Sequence, residues 1–311
     1  MHPTPMKIGI HVPQLGRLAD PAAVRAAAVA AERVGYSSLW VLDRVLSPVE
    51  PRSPYPGKED GRLPAEQGVV LDPIGTLILA AAVTERIRVG TSVLVAPWYP
   101  PVLLARSLTT LDLISGGRLD VGLGIGWSLD EYEAVGVPQR ELAARLEETL
   151  DVLDAVWGDD PVEHRGERIR ITPSVILPKP AQRPRPPILL AAYTPAGLER
   201  VARRADGWNP AGLPVELLAP MWATVRDQAA ALGRDPESLK LVVRANLTLT
   251  DRPLGADRPS YHGSVEQIVD DLEATRRVGA QEVILGPSGD HRLDELLDIY
   301  ARLAETYDAA A

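Results

Sequence analysis

Three side chains near the start of the chain carry groups that can move a proton or stabilise a charge. His11 lies at the end of an apolar run, and Asp43 and Arg44 directly follow a second one. An imidazole or a carboxyl exchanges protons near neutral pH, whereas a guanidinium keeps its proton and can only stabilise an anionic or carbonyl oxygen. His11 and Asp43 are therefore candidates for proton transfer, and Arg44 is a candidate electrostatic clamp. A plain charged pair at the rim of the fold would explain Asp43 and Arg44 equally well.

Three glycines alternate with apolar residues further along the chain. Gly122, Gly124 and Gly126 precede Trp127. At the end of a strand such glycines leave room either for a flat ligand, with Trp127 as an aromatic wall, or for close packing of another backbone segment. The spacing is not that of the dinucleotide-binding fingerprint G-x-G-x-x-G, which must also begin a helix.

A candidate anion site follows the fifth apolar run. Thr194 can cap a helix whose first residue is Pro195. The unpaired N–H groups of a helix N-terminus attract anions, so a phosphate would fit beside the hydroxyls of Tyr193 and Thr194. An ordinary helix cap is the alternative interpretation of Thr194.

Composition and missing motifs exclude several other classes of function. With no cysteine, the chain has no thiolate nucleophile or zinc ribbon. A net charge of -9 repels nucleic acids and anionic membranes. No apolar run reaches the 18 or so residues of a membrane span, and the first residues lack a signal peptide. We therefore expect a cytoplasmic protein with a small-molecule substrate. We expect no metal, because the other histidines fall in terminal or loop contexts and are interpreted as surface residues: His2, His164, His262 and His291.

Short β-branched or Leu-rich runs alternate with longer helical patterns along most of the chain, which predicts parallel strands joined by helices. The predicted strands are Lys7–Val12, Ser38–Leu42, Arg88–Val93, Leu119–Leu123, Ile188–Ala191, Asp206–Trp208, Lys240–Ala245 and Glu282–Leu285. The predicted helices are Pro21–Val34, Asp72–Thr84, Pro101–Ile114, Arg140–Trp157, Thr194–Arg204, Pro214–Leu232, Ser264–Val278 and Asp294–Tyr307. Eight such units indicate an α/β fold, a (β/α)8 TIM barrel, in which functional residues lie at the carboxyl ends of the strands.

Two segments fall outside the repeat. Residues 45–70 follow strand 2 and are rich in proline, which predicts an irregular, lid-like insertion. Residues 161–187, between helix 4 and strand 5, read as a polar hairpin followed by a proline-rich connector. A linker between two domains is the alternative for this second segment, but neither half would then have a complete sheet. We predict a single domain over residues 1–311.

Several stretches resemble the bacterial luciferase-like monooxygenase superfamily, and most closely its F420-dependent oxidoreductases. They are RVGTSVLVAP at 88–97, PVLLAR at 101–106, SGGRL at 115–119, GLGIGW at 122–127 and ADGWNP at 205–210. The resemblance covers the chain from about Lys7 to Leu285. It implies a barrel that binds coenzyme F420, or alternatively FMN, across its mouth, and it leads us to expect a homodimer.

The resemblance also implies a cofactor site. A bulge after strand 3, formed by Thr91, Ser92 and Val93 with a cis peptide at Ser92–Val93, would support the ring. The remaining implied cofactor residues are Gly124, Gly126, Trp127, Ser128, Ala192, Tyr193 and Thr194, with the phosphate near Ser128 and Thr194. The anionic tail of F420 would need positive charge, for which the chain offers Arg44, Arg52, Lys58, Arg62 and Arg244.

The sequence departs from that family's pattern at three points. Many relatives have His where this chain has Arg44, the sugar-phosphate dehydrogenases have Glu in place of Trp127, and a common Gly-Gly is Ala191-Ala192 here. We therefore do not infer a sugar-phosphate substrate from the resemblance. The expected function is hydride transfer between the deazaflavin C5 and a small organic substrate, with His11 or Asp43 handling the proton. A reduced-FMN monooxygenase and a flavin-binding barrel without turnover are the alternatives.

Overall fold

Eight parallel strands close into a barrel in the computed structural model, which describes residues 6–56 and 60–310, with side chains as far as 307. They are β1 (Lys7–His11), β2 (Ser38–Val41), β3 (Arg88–Thr91), β4 (Leu119–Gly124), β5 (Ile188–Leu190), β6 (Gly207–Trp208), β7 (Lys240–Leu249) and β8 (Glu282–Pro287). Each strand pairs with the next, and β8 pairs with β1. The predicted (β/α)8 barrel is confirmed.

Helices surround the barrel, and local sequence signals set several of their ends. They are α1 (Pro21–Val34), α2 (Pro73–Ala82), α3 (Pro101–Ile114), α4 (Leu142–Trp157), α5 (Pro195–Arg204), α6 (Val215–Ala231), α7 (Val265–Val278) and α8 (Leu293–Ala310). Asp20 caps α1 by accepting hydrogen bonds from the N–H groups of Ala22 and Ala23, and Gly35 ends it with a left-handed φ of 105°. No helix in the part of the chain that the structure describes is long and apolar enough to cross a membrane.

A tryptophan side chain closes the end of the barrel opposite to the carboxyl ends of the strands. Trp40 of β2 is fully buried, and its Nε1 donates a hydrogen bond of 2.6 Å to Oγ of Ser38. A Cβ on Gly9 or Gly90 would lie within 2.6 Å of an atom of this indole, so only glycine fits beside it. The carboxyl of Glu282 also contacts Ser38, and burial raises its pKa. This packing closes the end of the barrel at which the strands begin.

Strand β3 is interrupted after Thr91. The Ser92–Val93 peptide is cis, as the resemblance led us to expect, and a two-residue strand, Leu94–Val95, then pairs with β4. This arrangement places Ser92 and Val93 at the carboxyl ends of the strands.

Several element ends differ from the sequence-based prediction by two or more residues, and one α-helix was not predicted. A short helix, Leu129–Ala134, lies between β4 and α4, where none was predicted. Strand β7 continues to Leu249 rather than ending at Ala245, because its added length pairs with β8 and with a two-residue strand, His262–Gly263. Helix α4 begins at Leu142, after a 3-10 turn over Gln139–Glu141.

The two segments outside the repeat have different structures. The described part of residues 45–70 holds one short 3-10 helix, Ala65–Gly68, and is otherwise irregular. Within residues 161–187, the strands Val162–Arg165 and Arg170–Ser174 form an antiparallel pair, and the rest is an extended connector.

Candidate functional site

Two adjoining cavities open where the barrel strands end. The small cavity has a volume of about 390 Å³ and includes Ser92, Val93 and Trp127 in its lining. The large cavity has a volume of about 970 Å³ and includes His11 in its lining. Tyr55, Gln67, Arg244 and Asn246 line both. Both volumes fall within the range of about 300–1,000 Å³ that is usual for small-molecule sites.

Six of the ten residues expected at the cofactor line the small cavity: Ser92, Val93, Gly124, Gly126, Trp127 and Tyr193. The other four do not line this cavity. Thr91 ties two strands together, since its hydroxyl donates to the carbonyl of Gly122 and accepts from its N–H. Ser128 and Thr194 cap helices, and the carbonyl of Ala192 accepts a hydrogen bond from Nε1 of Trp208.

The alternating glycines serve close packing. A Cβ on Gly122 would lie 1.9 Å from the carbonyl oxygen of Thr91, and one on Gly124 would lie 2.7 Å from Cγ2 of Val93. Gly126 has a φ of 75°, which disfavours other residues. A side chain at position 124 would therefore disturb Val93 as well as any ligand above it.

Asp43 lies at the small cavity and is poised to exchange a proton. Its Oδ2 accepts hydrogen bonds from the N–H of Val95 at 3.0 Å and from the hydroxyl of Tyr99 at 2.9 Å. Burial of the carboxyl outweighs these bonds and raises the pKa of Asp43 to about 6. Both protonation states are therefore populated near neutral pH.

Arg44 is held by residues of the fold rather than standing free in the cavity. Its Nη2 lies 3.4 Å from Oε2 of Glu131, with 4% and 3% of the two side chains exposed. Its Nη1 donates to Oε1 of Gln67 at 3.4 Å, and its guanidinium lies 5.1 Å from the centre of the Trp127 ring. Arg44 is therefore ion-paired with Glu131, and the structure shows no ion pair between Asp43 and Arg44, which the sequence left open.

Sequence reasoning missed Glu131 because it missed the short helix that carries it. Ser128 accepts a hydrogen bond from the N–H of Glu131, and Oε1 of Glu131 in turn accepts from the N–H of Val45 at 2.8 Å. A serine followed three residues later by glutamate is a sequence signal for a helix start and would have located this helix.

His11 faces the large cavity from the end of β1. Its Nε2 is closed off from solvent and has no hydrogen-bond partner among the described residues. Burial, reinforced by the nearby charge of Arg244, lowers the pKa of His11 well below 6.5, so the ring is neutral at physiological pH. His262 and His291, interpreted from the sequence as surface residues, are half-buried in the lining of the same cavity.

Arg244 crosses the mouth of the barrel from β7. Its Nη1 donates a hydrogen bond of 3.2 Å to the carbonyl of Ser92, which belongs to the cis peptide. The hydroxyl of Ser92 donates to Oδ1 of Asn209 at 2.9 Å, and Nδ2 of Asn209 donates to the carbonyl of Val242. Asn209, which directly follows β6, and Arg244, within β7, therefore hold the bulge after β3.

The other positively charged residues expected near a cofactor tail are less available to bind its anionic groups. Arg52 pairs with Asp130 and Glu133 on the short helix, and Arg62 is exposed. Lys58 lies outside the described residues. At the start of α5, Thr194 accepts a hydrogen bond from the N–H of Gly197, and the hydroxyl of Tyr193 accepts one from the N–H of Ala211.

Within the described residues, no group of histidine, aspartate or glutamate side chains is arranged to hold a metal ion. The site is thus defined by a small cavity over the Ser92–Val93 peptide, with Asp43 at one side and Arg244 at another, and by the large cavity beside it.

Comparison with known proteins assigns the family. Residues 3–279 match the family described as luciferase-like monooxygenase. The chain belongs to this family. Its fold is also that of the monooxygenase RslO1 from Streptomyces bottropensis, with a TM-score of 0.81 at 24% identity over 98% of this chain and 99% of that one.

Three curated relatives are similar to this chain, and the names of two of them state a cofactor. An uncharacterized protein of Mycobacterium tuberculosis is 37% identical over 73% of this chain and 84% of its own length. An F420-dependent glucose-6-phosphate dehydrogenase from Amycolatopsis mediterranei is 28% identical over 71% of this chain and 63% of its own length. An FMNH2-dependent dimethylsulfone monooxygenase from Pseudomonas putida is 32% identical over 55% of this chain and 47% of its own length. The chain is therefore similar both to F420-dependent and to FMN-dependent enzymes.

Proposed function

We propose that this protein is an F420-dependent oxidoreductase that transfers a hydride between the deazaflavin C5 and a small organic substrate. The observation that carries the proposal is the small cavity above the Ser92–Val93 cis peptide, at the carboxyl ends of the strands. When bound, the deazaflavin accepts or supplies the hydride at C5. The protein positions the two reactants, shields them from water and transfers the proton.

The residues present suit a flat, largely apolar ring. Val93 and Gly124 form one side of the small cavity, and Ile125 and Trp127 add apolar and aromatic surface. Asn209 provides a polar group at the cavity lining, and the adjoining large cavity leaves space for a second molecule. A ring lying on Val93 would present its opposite face towards that space.

Asp43 is the residue proposed to handle the proton. Its Oδ2 is occupied by Val95 and Tyr99, whereas its Oδ1 has no hydrogen-bond partner among the residues described. With a pKa of about 6, the carboxyl can give up or take a proton near neutral pH. His11, being neutral, serves as a hydrogen-bonding group at the large cavity.

The insertion at residues 45–70 is proposed to exclude water from the site. Tyr55 and Gln67 of this segment line both cavities, and Nε2 of Gln67 donates to the hydroxyl of Tyr55 at 3.1 Å. The Tyr55 ring packs edge-on against Trp127 at 5.5 Å between ring centres. Removal of water strengthens electrostatic interactions inside such a site.

A reduced-FMN monooxygenase is the second candidate. The alignment with the F420-dependent relative covers more of this chain, 71% against 55%, which supports F420. The FMNH2-dependent relative is the more similar of the two within its shorter alignment, at 32% against 28% identity, which supports FMN.

The test is a fluorescence titration of the protein with F420, with FMN and reduced FMN titrated in parallel. Saturable binding of F420 at micromolar concentration is expected, followed by oxidation or reduction of bound F420 when enones or imines are added. No saturable F420 binding rejects the proposal, and binding of reduced FMN with oxygen-dependent turnover establishes the second candidate. F420 binding without turnover of any partner indicates a binding protein.

A matched pair of variants locates the ring. Ala191 lines the small cavity, so Ala191→Leu should weaken F420 binding by about tenfold or more through overlap with the ring. Ala134→Leu makes the same change at an exposed position of the short helix and should leave binding unaltered. Equal effects of the two substitutions would place the ring elsewhere.

A further inference from the structure

Among the described arginines at the site, one that is not exposed at the rim lacks a carboxylate partner. Of the arginines lining the two cavities, Arg44 pairs with Glu131 and Arg258 pairs with Asp271 at 2.6 Å. Arg17 is exposed to solvent at the rim. Arg244 lines both cavities and forms no ion pair with any residue that the structure describes.

The free edge of Arg244 is partly enclosed. Its Nη1 is occupied by the carbonyl of Ser92, but its Nε is closed off from solvent and has no hydrogen-bond partner in the described chain. An enclosed guanidinium without a counter-ion is unfavourable, since it has lost water and gained no opposite charge. The second terminal nitrogen, Nη2, also has no hydrogen-bond partner in the described chain, but it is not closed off, so it can donate a charge-assisted hydrogen bond to a carboxylate oxygen.

The neighbours of Arg244 favour a ligand in the large cavity. Asn246, two residues further along β7, lines the same cavities, and His11 of β1 lines the large one. Between them on β8, a Cβ on Gly286 would be in ordinary van der Waals contact with the ring of His11, at 3.6 Å. Strands β7, β8 and β1 are adjacent and lie across the barrel from β3 and β4, which carry the proposed ring site.

We propose that the large cavity binds a substrate that carries a carboxylate group, with Arg244 holding the carboxylate and with Asn246 and His11 bonding its other polar atoms. This inference rests on the proposed function, because a ring over Val93 assigns the facing large cavity to the substrate. It restricts the substrate to organic acids and makes Arg244 a specificity residue.

The test compares acids with uncharged analogues of the same shape. Isothermal titration calorimetry at pH 7 would measure binding of acetate, benzoate and trans-cinnamate and of the three matching amides, with and without saturating F420. At least one acid should bind about tenfold to 100-fold more tightly than its amide, as expected for charge-assisted hydrogen bonds. If no acid of the three is preferred over its amide, the proposal is wrong.

Variants identify the residue that is responsible for the preference for an acid over its amide. Measured without F420, Arg244→Leu should remove the preference for the acid, and Arg244→Lys should retain part of the preference. Arg140→Leu, at an exposed arginine away from both cavities, should behave as the wild type. An acid preference that is retained in Arg244→Leu, or that is lost in Arg17→Leu instead, would overturn the assignment. Failure of the wild type to bind F420 would reject the proposed function while leaving the acid preference measurable.

Discussion

Removing Glu131 should cost the fold more stability than removing any exposed carboxylate. Glu131→Met leaves Arg44 enclosed without its partner and removes the acceptor of the Val45 and Leu46 N–H groups, at 2.8 and 3.4 Å. Breaking one side of a buried ion pair costs about 3–5 kcal/mol. Because Arg44 keeps its contacts with Gln67 and Trp127, we expect the lower end, about 3 kcal/mol.

The assay is the free energy of unfolding in urea for a cycle of variants. Arg44→Met with Glu131→Met should be more stable than Glu131→Met alone, because no unpaired charge is then buried. Glu133→Met, at a side chain that is 74% exposed and paired with Arg52, should cost less than about 1 kcal/mol. A cost below about 1 kcal/mol for Glu131→Met, or simple additivity in the double variant, would refute the account of this pair.

Three further predictions concern the small cavity and its frame. Because burial raises the pKa of Asp43 from 3.8 to about 6, the folded state binds its proton more tightly than the unfolded state does. The free energy of unfolding should therefore fall, by on the order of 2 kcal/mol relative to Asp43→Asn, as pH rises from about 4 to 6; parallel pH curves would contradict this. Tyr99→Phe removes the hydroxyl that donates to Asp43 at 2.9 Å, so the pKa of Asp43, followed by carbon-13 NMR of its carboxyl, should rise further rather than stay constant. Gly122→Ala brings Cβ to 1.9 Å from the Thr91 carbonyl and should destabilise the fold by about 1–3 kcal/mol in thermal unfolding, whereas Gly255→Ala, with open space around it, should not; equal melting temperatures would exclude the clash.

Local sequence signals were sufficient for most of the barrel. Both ends of α1 are marked within the segment itself, by Asp20 and Pro21 at the start and Gly35 after the end. The order of the strands follows from their alternation with helices, since parallel strands need long crossovers. The end of β7 at Leu249 was not predicted, because it depends on pairing with β8 and with His262–Gly263, which are distant in sequence.

The candidate site was only partly predictable for the same reason. Strand ends identify Asp43, Arg44 and His11, but their charge states depend on neighbours from other parts of the chain. Arg44 meets Glu131, and His11 is affected by Arg244. The bulge at Ser92–Val93 was anticipated through resemblance, whereas the bonds from Arg244 and Asn209 that hold it come from strands that only folding brings near.

The central claim, that the small cavity seats a deazaflavin ring, is tested most directly by a crystal structure of the protein with F420. The ring should lie in van der Waals contact with Val93, above the Ser92–Val93 peptide, with its other face directed towards the large cavity. F420 bound away from the small cavity, or a small cavity left filled by protein side chains at saturating F420, would contradict the account.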